Sequence, residues 1–203
     1  MMNKVLCSLL LFLSISCGLQ GRNANYARDS KRIWLDSKEI HHGEYVWKMK
    51  KAGDVISSAE KVSTLGYDTS DWLSAIVPGT VLNSLVYNKE YPEPYYGVNN
   101  KLESGKIPDI SKVGREFYTY WFRTEFDVPE SFAGKTIWLQ PDGVNYRAEI
   151  WVNGNLLSTI NGMFVNDYIN ITDFVKVGNK NVLAVKVYPV DVPGTTMPKS
   201  WGL

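Results

Sequence analysis

From Val144 to Val152 apolar and polar positions alternate, with Tyr146, Ala148, Ile150 and Val152 on one side and Arg147, Glu149 and Trp151 on the other. Successive strand side chains point to opposite faces, so this is the pattern of a half-buried strand. Asn153-Gly154 follows, a dipeptide that supplies the two positive φ values of a tight type I′ turn. The segment therefore predicts a hairpin. Residues 45–49, 117–128, 135–140, 168–171 and 182–188 are also short, alternating or rich in aromatic and β-branched residues, and bounded by Gly, Pro, Asn or Asp, which predicts further strands. Asp127-Val128-Pro129-Glu130 and Gln140-Pro141-Asp142-Gly143 read as turns,. Helical spacing is confined to residues 79–88, where Thr80 can open a turn or two carrying Val81, Leu82, Leu85 and Val86 on one side,. Strands in series with little helix predict an all-β fold, a β-sandwich of jelly-roll type.

The N-terminus breaks this alternation. Lys4 precedes an apolar run over residues 5–15, with the small residues Ser14, Ser16 and Gly18 around Cys17. That composition predicts a secretory signal over residues 1–18, and the run is too short to cross a bilayer as a mature helix. The expected location is outside the cytoplasm, in a periplasm or secreted. Leu13-Ser14-Ile15-Ser16-Cys17 resembles a bacterial lipoprotein box, with Ser14 where Leu is usual. Cys17 is thus a candidate lipidation site for an outer-membrane anchor, ordinary cleavage nearby being the alternative. Cys7 and Cys17 are the only cysteines and both fall within the leader, so no disulfide is expected in the folded domain. Residues 19–32 are polar and lack periodicity, which reads as a linker, and residues 33–203 as the domain.

With 203 residues the chain holds one domain with a core and is too short for a sandwich plus a barrel, which takes about 250 residues. Lys plus Arg is 22 and Asp plus Glu 21, a net +1 without a basic stripe, which argues against a nucleic-acid partner. His41 and His42 have only Glu39 and Glu44 at ligand spacing, so they read as surface residues, and neither metal nor cofactor is expected.

Ala148-Glu149-Ile150-Trp151-Val152-Asn153-Gly154, Gly162-Met163-Phe164, Ile171-Thr172-Asp173 and the stretch from Gly178-Asn179 through Leu183-Ala184-Val185-Lys186-Val187 occur in that order. They resemble the N-terminal sugar-binding domain of glycoside hydrolase family 2. A second block, Trp72, Ala75, Val77-Pro78-Gly79-Thr80-Val81-Leu82 and Tyr91-Pro92-Glu93-Pro94-Tyr95-Tyr96-Gly97-Val98-Asn99-Asn100, is similar to its exo-β-glucosaminidase and β-mannosidase branch. The resemblance implies a galactose-binding-domain-like jelly roll from a retaining β-glycosidase acting on terminal β-linked sugars, glucosaminide or mannoside. It also implies immunoglobulin-like and barrel domains as partners, and a domain truncated at its C-terminal end, since residues 192–203 carry no element signature. A retaining glycosidase needs two carboxyls about 5–5.5 Å apart. In the family these are barrel glutamates, the acid/base one after an asparagine, and no Asn-Glu pair occurs in this chain. No catalytic residue is assigned, and whether the chain counts as an enzyme is left to its parent protein. The rival reading is a free-standing carbohydrate-binding module without catalysis.

Carbohydrate is the expected small-molecule partner. The resemblance places the loop after Val187 at the rim of the sugar pocket, where Asp191 would accept hydrogen bonds from hydroxyls or serve as a solvated turn residue. The loop over residues 92–111 is long and rich in Pro, Gly, Asn and Tyr, and such loops are often functional. Within it Tyr95 and Tyr96 offer aromatic faces, and Asn99 and Asn100 offer amides that donate and accept; the alternative is that the tyrosines pin the loop. Trp151 lies on the polar side of its strand and is read as a contact for a neighbouring domain. Trp121, Phe117 and Trp138 are read as core.

Overall fold

The computed structural model describes residues 13–18, 32–40, 43–162, 165 and 167–189. Within them, strands β3 (Trp47–Lys51), β4 (Leu73–Ser74), β5 (Tyr120–Asp127), β7 (Arg147–Val152), β8 (Asn155–Asn161) and β10 (Lys180–Tyr188) form one antiparallel sheet in the order β4-β3-β5-β10-β7-β8. Strands β1 (Leu13–Gly18), β2 (Arg32–Trp34), β6 (Thr136–Pro141) and β9 (Ile169–Asn170) form the second, in the order β2-β1-β6-β9. Trp47, Met49, Phe122, Phe126, Ala148 and Ile150 of the first sheet and Ile137, Leu139 and Ile169 of the second share one buried core. This is the sandwich the alternation predicts. The expected helix is α2 (Val81–Tyr87), capped by Thr80, whose hydroxyl accepts the Asn83 N–H at 2.8 Å,.

Two elements depart from the sequence reading. Leu13–Gly18, assigned to a leader, supplies the backbone of β1, and β2 begins inside the expected linker. The loop over residues 92–111 also contains a 3₁₀ turn, Leu102–Ser104, and enters the short helix α3 (Ile110–Val113).

The β7–β8 hairpin turns at Asn153 (φ 48°) and Gly154 (φ 86°), the positive pair that a two-residue I′ turn requires. Asn153 does more than turn. Its Oδ1 accepts the Val182 N–H at 2.9 Å, and its Nδ2 donates to Phe174 O and Asn181 Oδ1, both at 2.7 Å. Asn181, fully buried, donates to Lys176 O (3.0 Å) and Asn179 O (2.9 Å) and accepts the Lys176 N–H (2.7 Å).

The outer face of the six-stranded sheet is covered at its centre. Residues 52–72, including α1 (Ala59–Val62), lay Val62 and Trp72 over Trp121, Trp151 and Ala184 in a second apolar cluster. Arg123 fixes the cover by donating to the carbonyls of Val62 and Thr64, both at 3.0 Å, and to Glu125 at 3.1 Å. Trp151 is only 8% exposed, and its indole N–H donates to Glu149 at 3.3 Å. The expectation of a domain contact there is thus corrected: this chain covers Trp151 with its own segment. Trp121 is buried in this outer cluster, whereas Phe117 and Trp138 are half-buried. Trp138 alternates on β6 with the buried Ile137 and Leu139 and so falls on the outward side,.

At the start of β5 the hydroxyls of Tyr118 and Tyr120 are drawn into the protein beside Tyr91. Burial pushes Tyr120 up to about 12 and Tyr118 higher still, with the neighbouring tyrosines adding to both. Their folded pKa exceeds the ordinary 10.0, so their contribution to stability is complete below pH 10 and lost as pH rises through the folded value.

Asn181→Ala removes the hydrogen bonds to the Asn153 amide, the Lys176 N–H and the carbonyls of Lys176 and Asn179, and should lower the urea-unfolding free energy by about 2–4 kcal/mol. Trp151→Ala should cost about 3–5 kcal/mol in the isolated chain, where a residue serving only an interface would cost almost nothing. Thermal melts should fall from pH 10 to about 12, and Tyr120→Phe should make that decline shallower.

Candidate functional site

Strand β10 ends at Tyr188, and β5 runs antiparallel to it with Tyr120 opposite Val187, so the start of β5 and the exit of β10 meet at one end of the sandwich. A cavity of about 420 Å³ opens there, lined by Thr80, Leu82, Pro108, Tyr118, Tyr146 and Pro189 among others. Its size falls in the range of small-ligand pockets. The walls are mostly hydrocarbon, with Val81, Ile107 and Val187 completing them. Asn145, whose peptide bond to Tyr146 is cis, also lines it, and its buried Oδ1 has no hydrogen-bond partner. A buried acceptor left unpaired is unfavourable, and this oxygen is closed off from solvent.

The loop over residues 92–106 leads into this wall. Tyr118 donates to Pro108 O at 2.8 Å and lies beside Tyr91, so both ends of the loop come close to its hydroxyl. Inside the loop Asn99 is only 7% exposed; its Nδ2 donates to Glu93 O at 2.9 Å and its Oδ1 accepts from Lys106 Nζ at 2.8 Å. The sugar contact expected of Asn99 is therefore corrected, because its amide holds the loop together from within. Tyr95 and Tyr96 are instead 92% and 77% exposed, beside the exposed Val98 and Leu102, and Asn100 is also exposed. A loop tied internally while presenting two full aromatic rings is a preformed apolar surface, and the alternative in which these tyrosines pin the loop to the sandwich does not describe them.

Asp191 lies outside the described residues, as do His41 and His42; Pro189, two positions before Asp191, is on the cavity wall. The backbone of Cys17 belongs to β1. Among the described residues no group of three or more His, Cys, Asp or Glu is arranged to hold a metal ion. The opposite end of the sheet carries a polar groove of about 580 Å³, lined by Tyr45, Lys48, Arg123, Glu125, Asp127 and Lys180 among others. Burial, aided by Glu44 and Asp127, raises the Tyr45 hydroxyl there above its ordinary range.

Sequence reasoning missed Asn145, Tyr146 and Pro108. Tyr146 was assigned only to the inner side of its strand. Pro108 and Asn145 come together with Leu82 and Pro189 from four separate stretches, so no local pattern could mark them.

The arrangement offers exposed aromatic faces and an apolar hollow, which is equipment for binding,. Residues 47–196 match the family described as glycosyl hydrolase 2 galactose-binding domain-like. The chain is 41% identical over 131 residues to a mannosylglycoprotein endo-beta-mannosidase of Lilium longiflorum, covering 64% of this chain and 13% of that protein. It is 30% identical over 149 residues to an exo-beta-D-glucosaminidase of Amycolatopsis orientalis, covering 72% and 13% respectively. The crystal structure of an Amycolatopsis orientalis exo-chitosanase superposes with a TM-score of 0.59 at 29% identity, over 72% of this chain and 16% of that one. The chain thus spans about an eighth of the length of these curated relatives. With three quarters of its length inside the match, the chain belongs to the glycosyl hydrolase 2 galactose-binding-domain-like family.

Proposed function

We propose that the chain is the N-terminal sugar-binding domain of a retaining family 2 β-glycosidase that cleaves β-linked mannosyl or glucosaminyl residues. The observation that carries the reading is the match over residues 47–196, which brings the preformed Tyr95–Tyr96 loop and the cavity beside Pro189 into a domain of glycosidases. The relatives include exo-glucosaminidases and an endo-mannosidase. The β-linkage is common ground, and the restriction to terminal sugars leans on the exo-acting ones. In this reading the two carboxyls of the retaining reaction are supplied by a barrel of the parent polypeptide. The domain's own residues bind and orient: Tyr95 and Tyr96 stack on the C–H faces of the sugar, Asn100 and Asp191 take its hydroxyls, and the immunoglobulin-like and barrel domains pack beside it. The composition of residues 1–18 supports export, with Cys17 as a lipid attachment point.

The test compares the 203-residue chain with its parent enzyme on nitrophenyl β-mannoside and β-glucosaminide. The chain alone should show no turnover, and measurable hydrolysis by it would end the proposal. In the parent enzyme, replacing both Tyr95 and Tyr96 by alanine should raise KM roughly tenfold, the equivalent of about 1.4 kcal/mol of lost stacking. The melting temperature should barely move, because both rings are exposed,. An unchanged KM would remove the tyrosines from the site.

A further inference from the structure

Tyr188 is the last residue of β10. Val187 before it belongs to the core, so strand alternation puts the Tyr188 side chain on the outer face of the sheet. Three charged groups close on it there. Its hydroxyl donates to Glu149 Oε1 at 2.5 Å, the Arg147 guanidinium stands 4.5 Å from its ring centroid, and the Lys186 ammonium 5.2 Å. The register makes this possible: Lys186 lies opposite Glu149 and Tyr188 opposite Arg147, so Tyr188 reaches Glu149 along the diagonal that long side chains can span. Glu149 is itself held. Its Oε2 accepts the indole N–H of Trp151 at 3.3 Å, and Trp151 is packed with Trp72 and Trp121 in the outer cluster.

The backbone of the same tyrosine faces the cavity end. Tyr188 O accepts the Tyr146 N–H at 3.3 Å, and Asn145, Tyr146, Val187 and Pro189 all line the cavity. Stability alone does not call for this arrangement, because an aliphatic pair at these half-buried positions would fill the face without desolvating a carboxylate. A charge-assisted hydrogen bond and two cations over the ring instead fix one orientation.

We propose that Glu149 is a positioning residue of the sugar site: through Tyr188 it sets the direction in which the chain leaves β10, and with it the cavity wall from Val187 to Pro189, two residues before Asp191. The role in sugar binding rests on the reading of this chain as a glycosidase domain; the clamp itself does not. Neither side chain touches the ligand in this scheme. Each acts by holding the wall in place before the sugar arrives, as a supporting shell of hydrogen bonds does for the groups that make contact.

The experiment has two arms. The first is the alkaline titration of tyrosine absorbance in the 203-residue chain. Burial, the bond to Glu149 and its charge, with Glu116 adding to them, hold the Tyr188 hydroxyl above its ordinary value against the pull of Arg147,. Glu149→Ala should therefore move one tyrosine to lower pH, and the shift should vanish in Glu149→Ala/Tyr188→Phe. Its absence from Glu149→Ala overturns the proposal. The second arm is the kinetics of the parent enzyme on nitrophenyl β-mannoside and β-glucosaminide. Tyr188→Phe removes one oxygen and should raise KM roughly fivefold with kcat within about twofold. Glu149→Ala should do the same, the double variant should be no worse than either, and Glu149→Gln, which keeps an acceptor for Tyr188, should recover most of the loss. Tyr188→Phe and Glu149→Gln decide this arm even where Glu149→Ala does not fold. A lower melting temperature with unchanged KM overturns the positioning role, as do a loss confined to kcat and additive effects in the double variant. A parent protein without turnover on either sugar ends the glycosidase reading and the positioning role with it, while the titration still reports the clamp.

Discussion

The side-chain amides of Asn153 and Asn181 are the constraint on which the placement of everything else in the six-stranded sheet rests. Asn153 bonds Asn181 at 2.7 Å and the Val182 backbone at 2.9 Å, which sets where β10 starts against the β7–β8 turn. β10 pairs with β7 on one side and β5 on the other. In a sheet a one-residue slip would carry every side chain to the opposite face. The pair therefore fixes in one step which residues line the core, which lie under the outer cover, and where β10 exits at Tyr188 and Pro189. The same turn anchors the cover, since the Gly154 N–H donates to Ser63 O at 3.1 Å. A Cβ at Gly154 would stand 3.3 Å from a Thr64 methyl, at a φ that L side chains avoid,.

That cover changes the character of the fold. An antiparallel sandwich ordinarily leaves one face of each sheet to water, but here the six-stranded sheet is buried on both faces over much of its length. Arg123 lies within this second layer at 4% exposure with three acceptors around it, a geometry in which a buried charge is compensated by hydrogen bonds. The outer layer stiffens β5, β7 and β10 together, the strands that carry the cavity end.

Most strands and α2 were legible because their information is local: period-two alternation for β7, Thr80 before an apolar helical stripe for α2, Asn-Gly for the hairpin. Trp151 was misassigned by the same rule. Alternation separates the two faces of a strand but does not say which faces are wet, and only the long-range packing of Val62 and Trp72 decides that. Asn99 failed in a related way, because an amide in a polar loop looks the same whether it faces a ligand or closes the loop on Glu93 and Lys106. The exposed Tyr95 and Tyr96 were legible as candidates, whereas the cavity was not, being assembled from four distant stretches. β1 was read from composition, which describes how a segment is handled by export and is silent about its pairing in a sheet.

The two ends of the long sheet differ in what they can gain from a partner. At the Lys180 end the charges answer one another: Arg123 bonds Glu125 at 3.1 Å and Lys180 approaches the same carboxylate at 3.8 Å. Covering that groove would desolvate groups already satisfied, which returns little. At the Pro189 end the cavity is apolar, Asn145 holds an unpaired acceptor, and the adjoining loop presents two exposed tyrosines. Burying that surface removes hydrocarbon from water, which is favourable. β10 therefore joins a self-neutralised end to an apolar one.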